Sequence, residues 1–335
     1  MANPDVIVIG GSAGALEPLI TLVRGMPRNM RAAVFVVIHV PQDSNPALAQ
    51  ILDKQSPLTA SSAEDSEPIR YGHIYVAPSN RHLMLRGATI AVTPGPRENG
   101  FRPAIDPLFR SAAQSHGSRV IGVVLSGALD DGTFGLVSIK SAGGIAVVQH
   151  PDESVVPSMP IHAIQSVEVD LIAKAQELRD FLVGAVGLRS SDDDVFRSSS
   201  MKTPAEEALQ GMPPENEPGA PSLFTCPECG GALWAHEGQG MLRFRCHTGH
   251  GFTAESLSSQ QASHVEEALW TAVRVLQERA ALHRQQANKA RERKSLSSLA
   301  DRYEQRADDE TRKAEDLRQL LLRLSEDLPK DERTD

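Results

Sequence analysis

VIVIGGSAGALEPL, from Val6 to Leu19, decides the architecture. The β-branched run Val6 to Ile9 is apolar on consecutive positions, the pattern of a strand in a parallel sheet covered on both faces. Gly10-Gly11-Ser12-Ala13-Gly14 then turns the chain, and an amphipathic segment over 14–25 comes next. Strand, glycine turn and helix in that order open a βαβ unit. The alternation recurs outward in AVFVVIH (33–39), HIYVA (73–77), TIAVT (89–93), VIGVVL (120–125) and IAVVQ (145–149), with helical patterns over 106–116, 134–142 and 170–184. An α/β domain with a doubly wound, mainly parallel sheet is predicted over 4–187.

A chain of 335 residues exceeds what one core usually organises. Residues 188–222 turn to Ser, Asp, Pro, Glu and Gly and read as a flexible linker. Residues 258–328 contain neither Pro nor Gly and read as helices, interrupted at 294–298, with Ser297 or Ser298 as an N-cap. There Val265, Leu269, Val273 and Leu276, then Leu299, Tyr303, Ala307, Ala314, Leu317, Leu321 and Leu324, form apolar stripes. A helical hairpin or coiled coil is expected, serving self-association or the docking of a signalling partner.

The composition excludes several classes. With 34 basic against 43 acidic residues the net charge is −9, which disfavours nucleic acid and anionic lipid surfaces. Arg279, Arg284, Arg291 and Arg293 are offset by acidic neighbours. The longest mainly apolar stretch, Ala32 to Val40, is far shorter than the roughly 18 residues of a membrane span, so no membrane insertion is expected. The N-terminus has no basic region ahead of an apolar one, so a secretory signal is not expected and the cytoplasm is the predicted compartment.

Gly10 to Gly14 match G-x-S-x-G between a strand and a helix, the context in which that motif presents a nucleophilic serine. Unpaired N–H groups at the helix start would equally cradle an anion, so Ser12 reads as nucleophile, anion-loop residue or structural turn. His39 ends the second strand, and Asp130-Asp131-Gly132 comes after the VIGVVL strand. Taken singly, a histidine there is more often structural, and D-D-G is ordinary turn chemistry. Together they are notable, because the carboxyl ends of parallel strands converge on one crevice. A serine hydroxyl requires a base near pH 7, and the base a carboxylate to fix its tautomer. Ser12, His39 and Asp130 or Asp131 would supply the set, in a chain order unlike that of α/β-hydrolases.

IGGSAGALEPL, VVIHVP, HIYVAPSNRHLML, FRPAIDPLFRSAA, GVVLSGALDDGTFGL and GGIAVVQ with SMPIHAI, in this order, resemble the catalytic domain of the chemotaxis-type protein-glutamate methylesterases. The resemblance implies Ser12 as nucleophile, His39 as general base and Asp131, over Asp130, as the orienting carboxylate. It implies hydrolysis of γ-glutamyl methyl esters on a methylated chemoreceptor-like protein, and deamidation of certain glutamines, through an acyl-enzyme and with no catalytic cofactor. Backbone N–H groups near Ala13 and in the 127–132 loop would meet the oxyanion. Arg81, His82, Arg102, Asp106 and the SMP segment at 158–160 would line the same cleft, though loop arginines are generally solvated or paired. Family members usually carry a receiver domain ahead of the catalytic one; here the first strand starts at Val6, so phosphoryl control from an attached receiver is not expected. Ala13 and Ala15 stand where the family often has a hydroxyl residue and a further glycine.

All three cysteines lie within 223–257, as Cys226-Pro-Glu-Cys229 and Cys246-His247-Thr-Gly-His250 around a predicted hairpin. This is zinc-ribbon spacing, with ligands Cys226, Cys229, Cys246 and His250, His247 being the alternative fourth. A segment so small lacks the apolar surface to fold alone, so a structural Zn²⁺ is expected to supply the free energy.

Overall fold

Parallel pairing around β1 (Val6–Gly11) organises the computed structural model, which describes residues 3–39, 46–188, 196, 219–238, 240–292 and 297–327. The chain divides into two compact units, Met1–Leu257 and Ser258–Asp335.

In the first unit β1 pairs with β2 (Ala33–Ile38) on one side and, in chain order, β7 (Val120–Val124) on the other. β3 (Thr59–Ser62), β4 (His73–Val76), β8 (Ile145–Gln149) and β9 (Leu171–Ala173) complete a seven-stranded parallel sheet of order β3-β4-β2-β1-β7-β8-β9. Alternation along the strands sends side chains to two cores. Ile7, Ile9, Val34 and Val36 meet α1 (Leu16–Arg24), α2 (Pro46–Gln55) and α6 (Ala175–Ala185) through Leu19, Leu22, Leu52, Leu178 and Leu182. Val6, Val8 and Phe35 share the opposite core with α3 (Ile105–His116), α4 (Thr133–Ser141) and α5 (Ser158–Ser166) through Phe109, Leu136, Ile139 and Met159. The predicted doubly wound sheet is therefore present, with its switch point between β1 and β7.

Two segments depart from the pattern. TIAVT is β6 (Thr89–Thr93), paired antiparallel with β5 (His82–Arg86) outside the main sheet. A tight turn through Gly87, at φ 59°, joins them, and a parallel crossover needs a far longer connection. The stretch 170–184 begins as edge strand β9, and the helix starts only at Ala175. Of the predicted linker over 188–222, Leu188 bridges Met30, Phe196 is buried beside Tyr71, His116 and Arg119, Gly219 leads into β10 (Ala220–Thr225) and 220–222 are its first half; the remainder lies outside the described residues.

β10, β11 (Ala232–Gly238), β12 (Met241–Cys246) and β13 (Gly251–Thr253) form a four-stranded antiparallel sheet in the same unit. Its small core comprises Cys226, Leu233, Phe244, Cys246, Phe252 and Leu257. Thr253 then caps α7 (Ala254–Arg291) reciprocally: Ser256 N donates to Thr253 Oγ1 at 3.0 Å and Thr253 N donates to Ser256 Oγ at 2.9 Å.

In the second unit α7 and α8 (Ser297–Asp327) run antiparallel, joined across by Arg279–Glu310 at 2.9 Å and Arg291–Glu304 at 3.0 Å. Small side chains carry the seam: Val273, Ala280 and Ala287 on one helix, Ala300, Ala307, Ala314 and Leu321 on the other. Val265, counted in the predicted stripe, is 53 % exposed. Residues 293–296, most of the predicted interruption, lie outside the described residues. Among the described residues, no helix is long and apolar enough to cross a membrane.

Candidate active site

Ser12 leaves β1 between the ends of its two neighbours. Its N–H donates to Ser126 O at 2.9 Å beyond β7, and His39 N, beyond β2, donates to Gly11 O at 3.0 Å. Gly14 makes the turn with φ +77°, where a side chain would be strained and would press on Val155 and Ser126. Gly127 is needed for a different reason. A Cβ there would overlap the Met159 sulfur and stand 2.8 Å from Ser12 Cβ, so only glycine lets the β7 loop pass behind the serine.

His39 Nε2 is hydrogen-bonded to Asp131 Oδ2 at 2.9 Å, with side-chain exposures of 4 % and 1 %. Phe101 stacks on the imidazole, ring centroids 3.8 Å apart and planes within 8°. Asp131 Oδ2 also accepts from Ile105 N at 2.7 Å, and its Oδ1 from Asn99 Nδ2 at 2.9 Å, Gly132 N at 2.9 Å and Asp106 N at 3.2 Å. Burial works against this carboxylate, but the bonds from His39, Ile105 and Asn99 outweigh it and hold its pKa below the usual range. An ionised Asp131 accepts from Nε2–H and leaves Nδ1 as the basic nitrogen. Nδ1 is buried and has no hydrogen-bond partner among the described residues, Ser12 included. His39 and Asp131 are thus in contact, whereas Ser12 lies at the adjoining strand end without a bond to the imidazole. Such bonds commonly tighten only when substrate arrives.

Asp130 has a separate role, accepting from Thr253 Oγ1 at 2.9 Å, with its pKa raised to about 6, mainly by burial. Asp106 lies behind Asp131, fully buried, its Oδ1 accepting from Gly132 N and Gly135 N at 3.1 and 2.7 Å. Burial and then the Asp131 charge push its pKa up to about 7. The other cleft candidates are engaged in structure, apart from exposed Arg81. His82 is bonded to Pro96 O at 2.8 Å and accepts from Ala104 N at 3.3 Å. Arg102 donates to Asn80 Oδ1, Pro94 O and Gly95 O. Met159 is buried, and its N–H donates to Gly127 O at 2.8 Å. In the 127–132 loop, Gly127 N donates to Val156 O and Gly132 N to the two aspartates, so neither of these N–H groups is offered to an oxyanion. Sequence reasoning missed Asn99 and Phe101; Asn99-Gly100 signals only a turn, and that pair has positive φ, 53° and 81°.

The sulfur and nitrogen atoms of Cys226, Cys229, Cys246 and His250 lie within 4.8 Å of one another and could hold a metal ion. Cys229 Sγ and Cys246 Sγ are 3.7 Å apart, and His250 Nδ1 is 3.6 Å from Cys226 Sγ and 3.5 Å from Cys246 Sγ. Tetrahedral zinc bonds of standard length would set these separations at about 3.8 Å and about 3.6 Å. The donor set therefore fits zinc. His247 is outside the cluster and lies against Gly231 and Thr248.

Residues 7–182 match the CheB methylesterase family model. A Leptospira interrogans protein assigned as a protein-glutamate methylesterase/protein-glutamine glutaminase is 35% identical over 182 residues, covering 54% of this chain and 94% of that one. Enzymes of the same name from Anaeromyxobacter dehalogenans and Pyrococcus abyssi are 36% and 34% identical over 53% and 54% of this chain, which spans only 52% and 50% of their length. The crystal structure of the Thermotoga maritima CheB methylesterase catalytic domain superposes with a TM-score of 0.53 at 31% identity, covering 55% of this chain and 99% of that one. The cysteine cluster and helix pair lie beyond the matched stretch. With its parallel sheet and this likeness along 7–182, the chain belongs to the CheB methylesterase family of serine hydrolases.

Proposed function

We propose that this protein hydrolyses glutamyl methyl esters of a chemoreceptor-like protein in the cytoplasm, and deamidates certain glutamines, through Ser12, His39 and Asp131. The observation that carries the reading is the buried 2.9 Å bond between His39 and Asp131 beside the turn that presents Ser12. In this scheme Ser12 Oγ attacks the ester carbonyl while His39 Nδ1 takes its proton, and ionised Asp131 stabilises the imidazolium from Nε2. Backbone N–H groups at Ala13 and within 128–131 receive the oxyanion. His39 then protonates departing methanol, and water repeats the sequence on the acyl-enzyme.

Cys226, Cys229, Cys246 and His250 would hold a structural Zn²⁺, all of whose positions are protein-filled. The ion would supply folding free energy to a sheet with a small core and take no part in ester chemistry.

Methanol release from methylated receptor membranes tests the reading. The wild-type chain should release it and Ser12→Ala should not. Equal release by both would overturn the triad, and activity confined to short soluble methyl esters would overturn the receptor substrate.

A further inference from the structure

The segment 96–101 is shared between the parallel-sheet domain and the Cys/His sheet, and both lie in one compact unit. From the domain side, Arg110 grips Glu98 with paired 2.9 Å bonds, His82 holds Pro96 O, and Phe101 stacks on His39. From the Cys/His side, Arg243 donates to Glu98 Oε2 at 3.2 Å, with its guanidinium 4.1 Å from the centroid of Phe134. Asn99 N donates to Gly251 O at 2.8 Å, and Gly251 N to Arg97 O at 3.2 Å. Gly251 adjoins His250, one of the four clustered donors.

The side chain of Asn99 joins the two halves. It is 1 % exposed, and every position of its amide is filled. Both Nδ2 hydrogens go to the catalytic side, to Asp131 Oδ1 at 2.9 Å and Asp106 Oδ2 at 3.2 Å. Oδ1 receives both of its donors from the Cys/His side, Thr253 N at 3.1 Å and Ser256 Oγ at 3.1 Å. A flipped amide would set its oxygen against two carboxylates and its NH₂ against an N–H donor, so four contacts fix one orientation. Thr253 Oγ1 adds a bond to Asp130, the residue before Asp131. The matched family stretch ends at residue 182, so Thr253 and Ser256 come from outside it.

We propose that Asn99, held by Thr253 and Ser256, is a positioning residue for Asp131, and that metal binding by Cys226, Cys229, Cys246 and His250 therefore controls how reactive Ser12 is. The Cys/His sheet acts in this scheme as an intramolecular brace for the active site. It fixes β13 and the cap of α7, these fix Asn99, and Asn99 fixes the carboxylate that aligns His39. The inference rests on the Ser12–His39–Asp131 reading above.

The test uses the full zinc-loaded chain and the rate at which a fluorophosphonate adduct forms on Ser12. Chelation of zinc should slow labelling by about tenfold or more, as expected when a supporting contact to a catalytic group is lost, and restored Zn²⁺ should return it. The Thr253→Val/Ser256→Ala double variant should slow labelling similarly while it retains zinc. In Asn99→Ala, Asp131 loses a donor and becomes more basic, so the acid limb of the labelling profile should move to higher pH; a merely structural loss would lower the rate without moving that limb. If the double variant fails to keep zinc, Asn99→Ala decides the question alone. Wild-type rates and an unmoved acid limb in zinc-free protein and in Asn99→Ala would overturn the proposal while leaving the triad intact. Absence of any Ser12 adduct on wild type would remove the triad, and the brace with it.

Discussion

The parallel sheet and the Cys/His sheet share a compact unit but are held by different forces. Every residue of β1, β2 and β7 is buried, and branched side chains fill both faces, so hydrophobic burial dominates that hydrogen-bonded frame. In the Cys/His sheet β10 is almost wholly exposed, and the core is a handful of residues, two of them cysteines. Such a sheet has little apolar surface to hold it, and its four clustered donors could hold a metal ion. The larger frame carries the candidate site, and among the described residues the smaller sheet reaches it through Asn99 and through the bond from Thr253 to Asp130.

Substitutions that spare one sheet and strike the other should separate these roles. The largest effect is expected for Asp131→Asn, which removes the ionised partner of His39. Turnover of methylated receptor should fall by about 10⁴-fold, and because the new amide NH₂ meets the Ile105 or Gly132 N–H, unfolding free energy should fall too, by about 1–3 kcal/mol. Next, Phe109→Ala empties a fully buried site between α3 and the sheet and should cost about 3–5 kcal/mol in denaturant unfolding, without zinc loss from the folded fraction. Gly127→Ala should preserve fold and zinc yet lower kcat by about 10²-fold, because its methyl group displaces Met159 or Ser12.

The smallest effect concerns pH. Burial opposes the charge of Glu98, but Arg110 and Arg243 outweigh it and keep its pKa well below the ordinary value. A depressed folded pKa contributes stability that is present above the unfolded value of about 4.3 and is lost as pH falls below it, by at most about 1.4 kcal/mol per unit. The protection of the β13 amides, corrected for the intrinsic exchange rate at each pH, should therefore fall on acidification, and Glu98→Gln should flatten that response. Asp106 has the opposite sign. Its pKa of about 7 gives stability that is complete below about 3.9 and is lost as pH rises through neutrality.

Much of the frame was legible because its strands are apolar on successive positions. That signal fails at the margins. β3 is the polar run TASS on the sheet edge, where the outer side needs no apolar cover, and β9 is only Leu171–Ala173. At the site, Ser12 and His39 could be read because each comes directly after a strong strand, and the D-D-G turn because a short loop joins it to another. Asn99 and Phe101 could not, since their importance arises from contacts made across the fold by a loop with ordinary turn residues. Residue types and spacing left the adjacent aspartates open and only the family resemblance favoured Asp131; in three dimensions Asp131 turns to His39 and Asp130 to Thr253.

The helix pair carries a rule about its own length. Ala300, Ala307, Ala314 and Leu321, facing Val273, Ala280 and Ala287, recur at intervals of seven. With about 3.6 residues per turn, removal of seven residues from each helix keeps the small side chains on the shared side, whereas removal of three rotates the residues beyond the cut by about 60° and brings charged groups into the join. The tail can therefore be shortened or extended as a notched ruler is, only from one notch to the next.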